Sequence, residues 1–557
     1  MKLIYKIFLI LAVVSFASCD DKLTELNVNP NGVDPAIVNP NLMVTSIITS
    51  TLTRYNSSNY QGGVAGVMNY VQKSGWGDEL NKYNWNSEQS WASLYSDLRN
   101  AKHLYERSLE EGMEFQQGLS MVMRAFIFGL IADSWGDAPY TAALNAPNGE
   151  QEDLFPVFDS QESIYKGIIE ELKQANTLLS KPLSEYQGID PNADVLYNGN
   201  PAQWRKLANS LMLRYYMRVS TKLPAYAKAG IEEIISNSGT YPIFISNDDD
   251  ATMGYIGSSD ADAWPANTTF DANGSNFTRL QLCAGFRDVL VELNDPRIAV
   301  WFNKVKVQIQ VSDAVAEDEI IDGVRYLNPD YMAANNMVLY TPSTWVADSD
   351  ADKVIVDTGM YVGIPIASQT GGGSAWNLNP NVIQGGPNVH NSALAGMYQE
   401  AEGEYLRARL ISYAEVSFIL AEAAQKGWSV GGDAKTWYEE GVKASFDTWD
   451  AGDVDAYLAT DGVAFTGSLE QIMTQKWIAN WTVAHESWCD WRRTGLPALT
   501  VGLKGTREAM PLRAQYGSDE KARNADNYKA AINNLVETEF TAQDGKDSAW
   551  SKFWLLQ

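Results

Sequence analysis

The chain has 557 residues and a formal net charge of −27. That length supports a large buried core, and the acidity excludes nucleic acid and anionic membrane surfaces as partners, because their phosphates repel it. Neutral ligands or a basic protein surface fit better. Aromatic residues make up 11% of the chain, with 18 Trp and 27 Tyr. Helical packing accounts for many of them, and an aromatic binding face is a second use for the rest.

Residues 1–18 read as a secretory signal. Lys2 and Lys6 give a positive start, residues 7–17 are almost wholly apolar, and the run is too short for a spanning helix. Small residues Ala17 and Ser18 precede Cys19, the pattern of a lipoprotein signal in which the Cys19 thiol takes a diacylglycerol. Two or more acyl chains, at about 0.8 kcal/mol per buried CH₂, hold a soluble body on a bilayer. An ordinary signal with a chance cysteine is the competing reading. Residues 19–40, rich in Asn, Asp and Pro, read as a lipidated tether.

Helical patterns follow. Residues 88–111 carry Trp91, Leu94, Tyr95 and Leu98 on a helical repeat, and 119–131 carry a full apolar stripe that stops at Gly136 and Pro139. Segments 159–180 and 201–221 also read as helices, the second with an Asn200 cap and Pro201 in its first turn. Residues 410–426 are apolar on two faces and end at Gly427, with a further helix over 433–449. These helix–turn–helix units predict an all-α fold, an irregular tetratricopeptide-like α-solenoid with minor β, forming one helical domain over 41–557. Polar insertions at about 239–276 and 303–405, the latter with short β-like runs, are expected to cover one face.

Enzyme motifs are missing. The chain has no G-x-S-x-G elbow, P-loop, H-E-x-x-H or C-x-x-C, and no carboxylate pair stands out as a glycosidase acid and nucleophile. With only His103, His390 and His485, a His-based metal site is not expected. Asp348, Asp350 and Asp352 have calcium-loop spacing, but Lys353 replaces the turn glycine and Gly359 the bidentate Glu. Together with Asp248, Asp249 and Asp250 they read as solvated acidic loops. Cys283 and Cys489 read as free buried thiols rather than a disulfide. No cofactor is expected.

Aromatic residues within polar loops are the candidate ligand contacts: Trp76, Tyr83 and Trp85 in KSGWGDELNKYNWNSEQ, and Trp264, Trp345 and Trp376 in the insertions. A sugar ring offers an apolar C–H face for stacking and a rim of hydroxyls for Asn, Asp and Gln. The competing reading is that each ring pins its own loop to the body.

Six segments in order resemble the SusD/RagB family, in its SusD-like branch: LNVNPNGVDP at 26–35, MVMRAFIFGLIADSWGDAPYTAAL at 121–144, QWRKLANSLMLRYYMRVS at 203–220, NDPRI at 294–298, YAEVSFILAEAAQKGW at 413–428 and HESWCDWRRTGLPAL at 485–499. The resemblance implies a non-enzymatic outer-membrane lipoprotein of Bacteroidota, facing outward, built round four tetratricopeptide-like units. It also implies a lid that passes oligosaccharides, or in some members peptides, to a TonB-dependent transporter of the SusC type. Asp20 and Asp21 resemble the surface-export signal of such bacteria. Only Cys19 carries over residue by residue, as the lipid anchor; the family shares no binding motif, so the aromatic candidates rest on chemistry alone. A peptide-binding lid is the main alternative, ahead of a structural repeat scaffold or a glycoside hydrolase.

Overall fold

The computed structural model describes residues 38–557 apart from 76, 272, 343–352, 367–374, 382–385, 500 and 502–504. The lipid-anchor region, Trp76, Trp345 and the Asp348–Asp352 spacing therefore lie outside the described residues.

Helix α1 (Pro40–Gln61) opens the body, started by the Asn39 side chain accepting from the Asn41 amide. A single turn, α2 (Gly63–Val67), leads to β1 (Val71–Lys73). Then come α3 (Ala92–Glu110) and α4 (Glu114–Trp135), an antiparallel pair joined by a tight turn at Gly112, whose φ is +68°. The expected helix over 88–111 is thus shorter at its start, because residues 86–90 form a loop and Trp91 caps the helix. Helix α4 ends at Gly136, where φ is +94°, a value that favours glycine. It is long and apolar enough to cross a membrane, yet 94% of its apolar window is buried inside the protein. That burial identifies it as a core helix.

Next are α5 (Gln161–Leu178), α6 (Pro201–Arg218) and α7 (Pro224–Ser236). Asn200 accepts from the Ala202 amide and Pro201 occupies the first turn of α6, as its sequence predicts. Close helix packing depends on small residues. A Cβ on Gly129 of α4 would collide with the Tyr215 hydroxyl of α6.

After the insertions come α8 (Tyr413–Gln425), α9 (Ala434–Trp449), α10 (Leu469–Ala479) and α11 (Ala484–Thr494). The expected helix over 410–426 is corrected at its start. Leu410 and Ile411 belong to a strand, and Ser412 caps the helix by accepting from the Glu415 amide. Neighbours α3/α4 and α8/α9 pack as helix–turn–helix units, and α5 packs against both α4 and α6. One hydrophobic core runs through them, from Val44 to Leu555.

The strands are short, and those over 280–282 and 408–411 are buried in the main core. β2 (Ala251–Gly254) pairs antiparallel with the strand over Arg407–Ile411, and β1 with β3 (Leu280–Leu282). In the second insertion, β4 (Ile309–Val311), β5 (Asp318–Ile321) and β6 (Val324–Leu327) form a mixed sheet, while β7 (Met337–Leu339) and β8 (Val354–Val356) pair in parallel. Two satellite cores lie beneath them, one around Trp376 and the other around Leu327 and Val356. The β5–β6 hairpin went unread because its glycine turn, Asp322–Gly323, separates polar-rich strands with little alternation.

Candidate functional site

The described loop aromatics do not form an exposed face. Tyr83 and Trp264 are fully buried, Trp85 is 3% and Trp376 5% exposed. Each has a structural reason. Tyr83 donates from its hydroxyl to Asn69. Trp264 packs edge-on against Tyr60 and Tyr255. Trp376 fills the satellite core with Ile355, Val362 and Ile364. Trp85 borders a hollow that opens to solvent. Burial of each of these four rings is thus accounted for by its own surroundings.

That hollow lies between α1, α3, α4 and α11 and encloses about 310 Å³, within the usual range of small-ligand sites. Its walls are the rings of Tyr55, Trp85, Trp135 and Trp488. Trp135 donates Nε1–H to the Gln89 and Gln515 carbonyls, and Trp488 to the Pro511 carbonyl. The indole N–H groups of these two are thus spent on fixing the rings, which are 6% and 1% exposed, with the Arg492 guanidinium 3.5 Å from the Trp488 ring centroid. Trp85 meets Trp488 edge-on at 5.4 Å between centroids.

Polar groups surround these rings. Ser58, Ser93 and Ser134 line the rim, and Thr51 and His485 lie deeper. Thr51 is 1% exposed, and its Oγ1 has no hydrogen-bond partner; nor has Trp85 Nε1. Both atoms are buried from solvent, and Trp85 Nε1 lies beside Gly63 and the Glu79 side chain.

A charged network braces the floor. Tyr55 donates to Glu486 at 3.2 Å; Arg214 holds Glu415 in a fork with two contacts of 2.7 Å; Arg218 spans Glu486 and Asp133. Burial alone would push the Asp133 carboxyl up, but Arg218 and His485 hold it well below the usual carboxylate range. Burial likewise pushes the His485 imidazole down, but the Cys489 sulfur and Asp133 overcome this and raise it to about 9. His485 is therefore charged at neutral pH.

Asp133, His485 and Cys489 come close enough together to share a cation. Their acceptor atoms are already engaged. Arg492 donates to Cys489 Sγ at 3.0 Å and Arg218 pairs with Asp133. A cation there would meet two guanidinium groups, so the trio does not suit a metal. Cys489 and Cys283 are both buried free thiols, as expected. The acidic run at Asp248–Asp250 is corrected: Asp249 is buried and pairs with Lys206 at 2.6 Å, and Asp250 accepts from the Tyr413 amide, so these groups tie the first insertion to the helices.

Two further hollows flank the first. On the far side of α3 lies a groove of about 490 Å³, with Trp91, Tyr95 and Arg99 facing Glu520 and Arg523 of α12 (Ser518–Arg523). Trp91 donates to Glu520 at 2.9 Å and Tyr95 to the Pro139 carbonyl at 2.6 Å. On the outer face of α1 lies a hydroxyl-lined trough of about 470 Å³ bearing Ser46, Thr49, Thr53 and Ser57. Reading the sequence misses the rings of Trp91, Trp135 and Trp488 because they sit inside helical patterns. The signal that marks them is the polar run SEQS just ahead of Trp91, which leaves a loop beside the helix ends.

The body is a solenoid of helix pairs with an aromatic-lined hollow at its helix ends. The profile described as "Starch-binding associating with outer membrane", SusD-like, matches residues 32–325 and 340–517, and the chain belongs to this SusD-like branch of the SusD/RagB family. Solved structures agree on the fold. An outer-membrane protein from Bacteroides vulgatus, described in connection with nutrient binding, is 23% identical with a TM-score of 0.69, covering 93% of this chain and 100% of its own. A SusD homologue from Bacteroides fragilis is 22% identical with a TM-score of 0.67, over 93% and 99%. A chitin-binding SusD homologue from Flavobacterium johnsoniae is 20% identical with a TM-score of 0.67, over 92% and 98%. No match is found among curated protein sequences.

Proposed function

We propose that the protein is an outward-facing lipoprotein of the outer membrane, anchored through Cys19, that binds oligosaccharides and passes them to a TonB-dependent transporter of the SusC type. The observation that carries the glycan reading is the hollow walled by Trp85, Trp135 and Trp488 and ringed by serines. Fixed aromatic faces match the C–H face of a pyranose, and hydroxyl-bearing side chains match its rim. The starch-binding description of the family and the chitin-binding relative support the same reading.

Calorimetry with neutral malto-, cello- and chito-oligosaccharides tests this directly. We expect heat from at least one series and none from a casein-derived peptide mixture; the reverse result overturns the glycan reading in favour of peptide cargo. For the anchor, Cys19→Ala is expected to release a folded protein from membranes, and retention there refutes the lipid claim. Co-purification of a large β-barrel with the tagged wild type tests the lid role.

A further inference from the structure

We propose that His390 is a pH-sensitive pin, which locks the β4–β6–β5 sheet of the second insertion to the Asn-rich stretch beside it and lets the two part in mild acid. The device is independent of what the aromatic hollow binds.

His390 is 2% exposed. Its backbone is fixed within its own stretch: the amide donates to Asn388 Oδ1 at 2.9 Å, and the carbonyl accepts from Asn377 Nδ2 at 2.9 Å. The ring leaves that stretch and reaches the sheet. Nδ1 lies 2.7 Å from the Val307 carbonyl, just before β4, and Nε2 lies 3.3 Å from Nη1 of Arg325 on β6. A carbonyl only accepts, so Nδ1 carries the proton. In the neutral ring Nε2 is then an acceptor, which suits the guanidinium. The same guanidinium donates from Nη1 to the Leu378 carbonyl at 2.9 Å and forks onto Asp318 of β5 at 2.9 and 2.6 Å. One imidazole, acting directly and through Arg325, therefore joins the entry to β4, both strands of the β5–β6 hairpin and the stretch around Leu378.

Protonation reverses one of these contacts. Nε2 becomes a donor facing a donor, and a second positive charge arrives 3.3 Å from Arg325. The charged groups that act on the ring are Arg325 of β6 and Asp318 of β5. Both Asp318 oxygens are already taken by Arg325, so the imidazolium gains no carboxylate of its own. Burial pushes the His390 imidazole below its ordinary 6.5, and Arg325 adds to this, against the Val307 carbonyl and Asp318. A ring held low in the closed form and ordinary in the open one takes up its proton on opening. Closure is therefore full above pH 6.5 and weakens as pH falls below it. The core under the sheet is small, with Ile309, Leu327, Met332 and Val356 as its buried residues, and regions with few buried contacts open locally at low cost. His485 has the opposite setting. Its ring is charged beside Asp133 and held up to about 9, so acid does not loosen the helical body through it.

Hydrogen exchange on the full chain at pH 7.5 and pH 5.0, corrected for the intrinsic rate at each pH, tests the pin. The readout is peptides covering residues 305–312 and 324–328, whose Val307, Ser312 and Arg325 amides donate to the Val389, Leu327 and Gln308 carbonyls in the closed form. Peptides of α4 serve as the reference and report that each variant is folded. In wild type we expect opening of the sheet to rise at least about threefold at pH 5.0, with about thirtyfold as the ceiling for an ordinary imidazole of 6.5, while α4 stays protected. His390→Gln cannot titrate and is expected to open equally at both pH values. Arg325→Gln removes the cation that the imidazolium faces and is expected to shrink the response; it decides the matter if His390→Gln does not fold. Unchanged protection in wild type, or a full acid response in either folded variant, overturns the pin.

Discussion

Asp295 and Arg297 form a wholly buried ion pair, each 0% exposed at its side chain, and replacing Arg297 by Met probes how the middle of the chain is held to the C-terminal helix units. Arg297 clamps Asp295 with Nε at 2.9 Å and Nη2 at 2.6 Å, and it also donates to Ser445 of α9 and Gln475 of α10. Tyr457 donates to the same carboxylate at 2.7 Å. Methionine keeps much of the stem and removes the charge. Asp295 is then left charged with no cation beside it, and Gln475 and Ser445 lose a donor. Removing one member of a buried pair costs about 3–5 kcal/mol. Converting Asp295 to Asn as well discharges the site, and we expect the double variant to recover ~2 kcal/mol relative to additivity. The assay is guanidinium unfolding of the wild type, both single variants and the double variant, compared by midpoint and slope because a chain of this size need not unfold in two states. A single variant with the wild-type midpoint, or strictly additive effects, would refute the argument.

Three further outcomes are expected. His485 is raised from 6.5 to about 9 in the folded protein, so its contribution is full below pH 6.5 and is lost as pH rises through 9. Wild-type stability should fall over that window by up to about 3 kcal/mol, and His485→Phe should flatten the slope, as read by denaturant midpoints at pH 6 and pH 9.5. Gly129→Ala should destabilise by about 1–3 kcal/mol through overpacking on Tyr215, with Tyr215→Leu restoring part of it; a silent Gly129→Ala would mean that the helices separate at no cost. Thr51→Val removes a buried hydroxyl that bonds nothing in the protein, so its thermal midpoint should match or exceed wild type, and a lower midpoint would refute the reading.

The helical frame was legible in local chemistry. The apolar repeat of 119–131, the Asn200–Pro201 start and the helical stretch over 433–449 are each set by neighbours along the chain, and the structure places helices there. Strand Arg407–Ile411 was misread because it is apolar and continuous with the helix after it, and only its pairing with residues 251–254 distinguishes the two. The site was less legible for the same reason on a larger scale. A Trp in a polar loop looks the same whether it faces solvent or folds back, and Tyr83, Trp85, Trp264 and Trp376 all fold back because the neighbouring helices leave room for them. Trp135 and Trp488 read as core in their own helices. They become walls only where four elements diverge, which no periodicity encodes.

The walls of the aromatic hollow and of the groove beside it are stitched together across almost the whole chain. Gln515 donates to the Trp85 carbonyl, Trp91 to Glu520 and Lys521 to Glu88, partners 429 to 433 positions apart. No fragment carries both walls, and closing so long a loop places their meeting late in folding. The consequence is thermodynamic as well as kinetic. A molecule that lies across both walls resists not only its own release but the unfolding of the entire chain, by RT ln(1 + [L]/Kd). The melting temperature of the intact protein is therefore itself a cargo sensor, and a thermal-shift screen across many sugars needs neither a label nor the transporter.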